Sequence, residues 1–479
     1  MHQRQKQETQ NGASSLSTQS TNSDGYSKTL KQGRSRDWRP FVFPLVVTIV
    51  VAGTIVWSQR ALQNSPTLFR RPVSKQVDED TTPPGICINN VADMPKHWRP
   101  LPGLFEDSGK PWSPQEQALA DEAVEKGLDE LVNFYQLNMT EHRIQKLRND
   151  AVNSLIDEAY ASDSMPSYHE KALRATARVL KINAARFATK NKKYKGCHKT
   201  YEQLKYVGYG QYLVNNLPDD EELKALQLKL TEHVNAMIQD CGTLEELLDV
   251  GDLNEIFQDK HAHADPVFDW TLKAIALTDC LTVPNLVLPE GTEEFIANVW
   301  NYLANYDMPY ARRQRKHYGD YTTRNTAWLA THVAYIPSGY GRHKQLIEDA
   351  PYLYKYIREN FYYALEYGML DLFCEFVDLA RQYGCTEDND YQVRHGTRYI
   401  LSLYEKGGHS WMNYHEEGQE DERLSDYSLI HKPWTAISGV IRRKFEPIVP
   451  GSYGSAFQEA LKKAEYSSAE KHRLVKVVA

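Results

Sequence analysis

Asn325, Trp328, His332 and Tyr335 recur at i, i+3, i+7 and i+10. On a helix this spacing puts them close to one face. A polar and aromatic strip among apolar neighbours is what the wall of a pocket between helices needs. Ser338 to His343 (SGYGRH) follow as a turn carrying Tyr340, Arg342 and His343 as potential ligands. Further along, Asp371, Glu375 and Asp378 stand one turn apart with Cys374 beside them. His395 opens the run VRHGTRYILSL, and His409, His415 and His431 follow among Glu416, Glu417, Asp421 and Asp426. Imidazole titrates nearest to neutral pH, so these side chains suit proton transfer. Zinc or iron would also take histidine nitrogens together with a carboxylate or thiolate. The expectation is a site in which His332, His395 and His431 are metal ligands or bases. Asp371, Glu375 and Tyr335 act beside them, with Asn325, Trp328, Tyr340 and Trp434 against the substrate. No pair has the spacing of a zinc motif such as HExxH.

Arg312, Arg313, Arg315, Lys316 and His317 form a basic island in an acidic region. They are expected to anchor an anionic group, or else to pair with acidic neighbours as a solvated face. His261 and His263 alternate in HAHAD, a spacing that can chelate in an extended segment.

The elements that position these residues read as helices. Ser113-Pro114-Gln115-Glu116 combines an N-cap, proline at the first helical position and a reciprocating glutamate. Helical periodicity then recurs over 141–161, 168–190, 219–240, 243–258, 292–305, 323–336, 348–366, 368–382, 391–404, 433–444 and 454–470. Short polar turns separate the runs, and nothing reads as a hairpin of strands. The class is all-α, built of αα-hairpins, either stacked openly or closed into a ring.

Two stretches resemble α/α-toroid proteins, the helical rings of terpenoid cyclases and protein prenyltransferases. Gly396–Leu403 (GTRYILSL) followed by Gly407-Gly408-His409-Ser410-Trp411 is similar to the glycine-aromatic-Gln-Gly-Trp repeat of those cyclases, and His431–Ile437 to the start of the next inner helix. The likeness covers about forty residues. Tyr404 stands where the repeat has glutamine, His409 is an extra residue before the tryptophan, and the acidic DxDD signature is missing. The resemblance implies a ring with Trp411 against the substrate, and a lipid-like or diphosphate ligand.

The first hundred residues differ in kind. Residues 1–37 are rich in Ser, Thr, Gln and Asn and are expected to be a disordered tail. Residues 41–57 (FVFPLVVTIVVAGTIVW) carry no charge and are flanked by Trp38, Arg39 and Arg60. That is the pattern of a short membrane span, preceded by too long a segment for an ordinary cleaved signal peptide. Lys28, Lys31, Arg34, Arg36 and Arg39 crowd its N-terminal side. The positive-inside rule therefore places the N-terminus in the cytoplasm and the rest beyond the membrane. Residues 58–112 are rich in proline and read as a stalk, with the helical domain at 113–479. All six cysteines lie beyond the span, in a spacing that fixes no pairing, and Asn138-Met139-Thr140 is a glycosylation sequon.

Residues 1–60 hold eight Lys and Arg against three Asp and Glu; with a net charge of −7 for the whole chain, the remainder carries −12. A domain so acidic is not a general nucleic-acid binder. The functional expectation is an enzyme held at a membrane by one helix. It would act, with or without a divalent zinc or iron ion, on a small-molecule, lipid-like or glycan substrate. The rival class is a tethered scaffold without catalysis.

Overall fold

The computed structural model describes residues 86–100, 109–161, 165–189, 197–258, 264–306, 321–366, 368–413 and 425–478. All described residues belong to the unit Leu68–Ala479. The tail, the span at 41–57 and the basic island with Arg312, Arg313 and Arg315 lie outside the described residues, as do His261, His263 and His415. Among the described residues there is no strand, and no helix is long and apolar enough to cross a membrane. The chain is all-α.

Helix α1 (Pro114–Asn133) begins as its sequence dictates. The Ser113 hydroxyl accepts from the Glu116 backbone, and the Glu116 carboxylate accepts from the Ser113 backbone N–H at 2.8 Å. The expected run 141–161 is two helices, α2 (Glu141–Leu147) and α3 (Asn149–Ala161). Arg148 breaks it at φ 54°, and its carbonyl is capped by the Asn183 amide instead of continuing the ladder. Next come α4 (Pro166–Thr189), α5 (His198–Asn216), α6 (Glu221–Cys241) and the short α7 (Leu244–Leu248) and α8 (Leu253–Ile256). They are followed by α9 (Ala264–Leu281), α10 (Thr292–Asn305), α11 (Tyr321–Val333) and the single turn α12 (Tyr335–Ser338). The last helices are α13 (Pro351–Glu366), α14 (Leu370–Gln382), α15 (Tyr391–Lys406), α16 (Asp426–Val440) and α17 (Tyr453–Val478).

Six of these helices pack in a closed cycle. α3 lies against α5, α5 against α9, α9 against α11, α11 against α14, α14 against α16, and α16 returns to α3. The intervening helices cover the cycle from outside: α4 on α3 and α5, α6 on α5, α10 on α9, α13 on α14, α15 on α14 and α16, and α1 on α16. The α14–α16 approach depends on Gly439, where a Cβ would lie 2.7 Å from Ile400 Cδ1 and 3.0 Å from Cys374 Cβ. Only a residue without a side chain lets the two backbones come so near.

Two corrections concern the cycle. α5 and α9 carry no expected helical run, although both are members. A helix packed on both sides needs no polar stripe, so one-sided periodicity is weak there. α16 starts at Asp426, capped by the Ser425 hydroxyl, and not at Pro433, which sits inside it. The missing N–H of Pro433 is tolerated because the helix is held by its neighbours α14, α3 and α1.

The described part of the expected stalk is docked. Cys87 is bonded to Cys385, and Cys197 to Cys241, while Cys280 and Cys374 are buried thiols outside these disulfides. Around the first disulfide, the Ile88 N–H donates to Asp390 at 3.0 Å and the Tyr391 N–H to the Ile88 carbonyl at 2.8 Å. Gln392 donates to the Trp98 carbonyl at 2.9 Å, and the Trp98 ring is buried edge-on to Tyr354.

Candidate active site

The half-buried faces of the cycle helices turn chemically distinctive side chains toward one another. From α3 come Asn153 and Asp157, and from α11 and α12 Trp328, His332 and Tyr335. α14 supplies Asp371 and Glu375, and α16 supplies His431, Trp434 and Ser438. Asp157, His332, Tyr335 and Glu375 are enclosed by protein on all sides, yet each keeps part of its surface open. Deep placement with part of the surface open is what side chains directed to the inside of a helical ring show.

His332 Nδ1 lies 2.8 Å from the Trp328 carbonyl oxygen and 3.0 Å from Thr331 Oγ1. A carbonyl can only accept, so Nδ1 carries the proton and Nε2 is the basic nitrogen. Burial first of all, with Lys205 adding to it, pushes His332 down to about 4, so the ring is neutral near pH 7. Its edge meets Phe268 on α9 at 4.8 Å and Tyr335 at 5.4 Å. Tyr335 in turn stacks on Tyr340, with ring centroids 4.9 Å apart. Burial holds both phenols well above their ordinary range. Tyr209 hydrogen-bonds Tyr340 and donates to Asn153 at 2.8 Å.

The carboxyl groups opposite are poorly compensated. Asp157 Oδ2 accepts from Trp434 Nε1 at 3.2 Å, and its Oδ1 has no hydrogen-bond partner. Burial pushes Asp157 up to about 7 against the pull of Arg443. Glu375 is hydrogen-bonded to Thr331 and its Oε2 has no partner. Burial, then the negative charges of Asp371, Asp378 and Asp157, push it up to about 8. Glu158 faces the next layer, where Ser438 at 3.1 Å and Tyr168 at 3.2 Å donate to its two oxygens. Near pH 7 the interior therefore holds a mostly protonated Glu375, an Asp157 close to its midpoint and a neutral base, an arrangement associated with functional sites.

Of the residues expected from sequence, the structure brings Trp328, His332, Tyr335, Tyr340, Asp371, Glu375, His431 and Trp434 to this interior, and buries Asn325 on α11 beside it. His431 Nε2 meets the Tyr427 hydroxyl at 2.9 Å. Burial lowers its pKa, against Asp371, which raises it. Two residues stand elsewhere. His395 is on α15, outside the cycle, buried between Tyr362 and Tyr391 and bonded to the Tyr362 hydroxyl at 2.9 Å. Trp411 is fully buried against α1, its Nε1 donating to the Ala123 carbonyl at 2.8 Å, so it seals a helix seam.

His332, His395 and His431 do not meet as a ligand set. Among the described residues, the one trio of His, Cys, Asp or Glu with ligand atoms within 4.8 Å of one another is Cys87, Cys385 and Asp390. Its sulfurs are bonded to each other and are not thiolates.

Sequence reasoning passed over Asp157, Glu158, Tyr160 and Arg443, and named Arg342 only as a potential ligand of its turn. The signal for the first two was present: SLIDEAYA sets two acids in the middle of an apolar run. No family model, curated protein or solved structure matches the chain.

Proposed function

We propose that the protein is an enzyme that cleaves an acidic glycan by proton transfer in the interior of an α/α toroid, held at a membrane by residues 41–57. The closed cycle of six helices with outer partners supports the toroid. Two disulfides fit an oxidising compartment, the side of a membrane on which the positive-inside rule places this domain.

The observation that carries the chemistry is neutral His332 beside the Tyr335–Tyr340 stack, within a helical cycle whose buried carboxyls Asp157 and Glu375 hold protons far above the ordinary carboxylate range. Hydrolysis of a glycosidic bond by paired carboxyls would leave neutral His332 and the tyrosine stack without a role. Elimination needs a neutral base, a proton donor and hydrogen bonds that neutralise the substrate's own carboxylate. In this reading Asp157 and Glu375 donate hydrogen bonds to a uronate carboxylate and make the adjacent carbon acidic. His332 Nε2 removes the proton from that carbon. The released electron pair forms the ring double bond, and the bond to the glycosidic oxygen breaks. Tyr340 protonates the departing oxygen, and His332 returns its proton to the tyrosinate through solvent. Trp434, Tyr427 and Tyr335 offer flat faces with polar edges to the flanking sugars.

The test is incubation of the full chain with uronate-containing and neutral polysaccharides, before and after exhaustive chelation. Ultraviolet absorbance from unsaturated uronate ends, unchanged by chelation, is the expected result. New reducing ends without that absorbance would replace elimination with hydrolysis. Activity restored only by zinc or iron would return the histidines to metal binding. Tight binding with no product would favour the tethered scaffold.

A further inference from the structure

Tyr340 occupies backbone space that a bulky side chain rarely enters. Its φ is 59°, and the flanking Gly339 and Gly341 are at 56° and 77°. A non-glycine residue there costs roughly 1–3 kcal/mol and persists only where its surroundings over-determine it. Two arginines surround the turn. Arg342 belongs to the turn itself: its guanidinium is sandwiched between the rings of Tyr160 and Tyr453 at 4.4 Å each. It donates to the Gly339 carbonyl at 2.9 Å and to Asp279 at 2.6 Å.

Arg443 reaches in from the segment after α16. Its Nη1 donates to the carbonyls of Tyr340 at 3.2 Å and Gly341 at 3.4 Å. Its Nε and Nη2 grip Asp378 on α14, the latter at 2.6 Å. A Cβ at Gly341 would stand 2.5 Å from Arg443 Nη1, so the guanidinium is pressed flat against the turn. The segment carrying Arg443 is latched in turn. The Glu446 N–H donates to the Arg342 carbonyl at 2.7 Å, His343 Nδ1 meets the Glu446 carbonyl at 3.0 Å, and the Gly454 N–H donates to His343 Nε2 at 3.0 Å.

We propose that Arg443 is the positioning residue for Tyr340. Tied to Asp378, it pins the Tyr340 peptide in the left-handed conformation that lays the phenol on Tyr335 beside His332. The role rests on the reading of Tyr340 as the proton donor, because only then does the placement of that ring govern a rate. Lysine cannot replace it: one ammonium does not hold a carboxylate and two carbonyls in a planar fork. The charged and titratable groups facing the Tyr340 ring are Asp157, Asp279, Tyr209, Tyr160, Tyr335 and Arg342. Of these, Arg342 also holds the turn's backbone, at the Gly339 carbonyl before Tyr340, while Arg443 holds the carbonyls of Tyr340 and Gly341 on the other side.

The experiment compares wild type, Arg443→Lys and the double variant Asp378→Asn/Arg443→Gln, all in the full chain. It measures kcat and KM on a uronate polymer, thermal midpoint, and crystal structures. Arg443→Lys is expected to lose about 100-fold in kcat with KM within about twofold, the pattern of a lost transition-state interaction. Tyr340 is expected to leave positive φ or unstack from Tyr335. If Arg443→Lys does not fold, the double variant, which strands no charge, carries the same expectation. Tyr340 still stacked at positive φ in a folded variant overturns the proposal, as does a kcat within about threefold of wild type where Tyr340→Phe is inactive. The two readings fail separately. Should Tyr340 move while Tyr340→Phe keeps full activity, the clamp stands and the proton-donor role falls. Should Tyr340→Phe be inactive while Arg443→Lys is unchanged in structure and rate, the clamp alone falls.

Discussion

Two regions of this molecule bury charge, and they bury it differently. At the docked N-terminal segment, Arg358 donates to both oxygens of Asp390, at 2.9 and 2.8 Å. Arg381 meets Glu387 at 2.5 Å, and Arg394 holds the Asn89 side chain and the Glu387 carbonyl at 2.9 and 2.8 Å. Each cation there has an anion or a set of carbonyls opposite it. Single polar atoms go without a hydrogen-bond partner in both regions, Arg358 Nε and Glu387 Oε2 among them. Inside the helical cycle, however, Asp157 and Glu375 have no ion-pair partner among the described residues, and their negative neighbours add to the cost of burial. A fold gains nothing from such carboxyls. The paired region reads as architecture and the unpaired one as chemistry, since strained electrostatics persist where a function selects them.

The contrast is broken most directly by His332→Ala. Loss of the base is expected to lower kcat by about a thousandfold with helicity and thermal midpoint kept, within the range of general acid–base effects; a loss under tenfold would put the base elsewhere. Arg358→Ala is the mirror experiment. Removing one partner of a buried pair leaves Asp390 uncompensated and is expected to cost about 3–5 kcal/mol of stability in denaturant titration. Specific activity of the folded fraction should stay unchanged, and a selective fall in kcat would erase the distinction between the regions.

Glu375→Gln sharpens the comparison with a smaller effect. The folded carboxyl sits at about 8, above the ordinary unfolded value of about 4.3. The folded chain therefore holds a proton that the unfolded chain has lost in the window between those values. Glu375 contributes stability that is present below that window and lost as pH rises through it. The variant should be the more stable protein at pH 8–9, and its advantage should vanish near pH 4; thermal midpoints across pH check this. A constant difference would mean that Glu375 is compensated by a charge.

Much of the cycle was legible in sequence because its amphipathic members carry the pattern that amphipathic helices carry. α11 and α14 of the cycle, and α15 outside it, fell where periodicity placed them, and capping chemistry set the start of α1. What periodicity cannot show is a helix covered on both sides, and so α5 and α9 were missed. The site was half legible for a related reason. His332 and Tyr335 share one helix, and Asp371 and Glu375 share another, so spacing alone groups each pair. Asp157 joins them only because α3 closes the cycle onto α16, a contact between residues 277 apart that no local signal encodes. His395 and Trp411 looked eligible by type and proved to be packing, because a type says nothing of what stands opposite.

The bond between Cys87 and Cys385 spans 298 residues of sequence, and it decides how the domain bears load. Tension arriving along the chain from residues before Cys87 enters at the start of the docked segment. Without the bond it would peel that segment away one hydrogen bond at a time, in the easy direction of a zipper. With it, force passes at the first cysteine straight into the turn between α14 and α15, and the segment up to Trp98 lies slack beyond the point of pull. Load applied ahead of Cys87 is then carried by a covalent bond and not by the hydrogen bonds of Ile88 and Trp98.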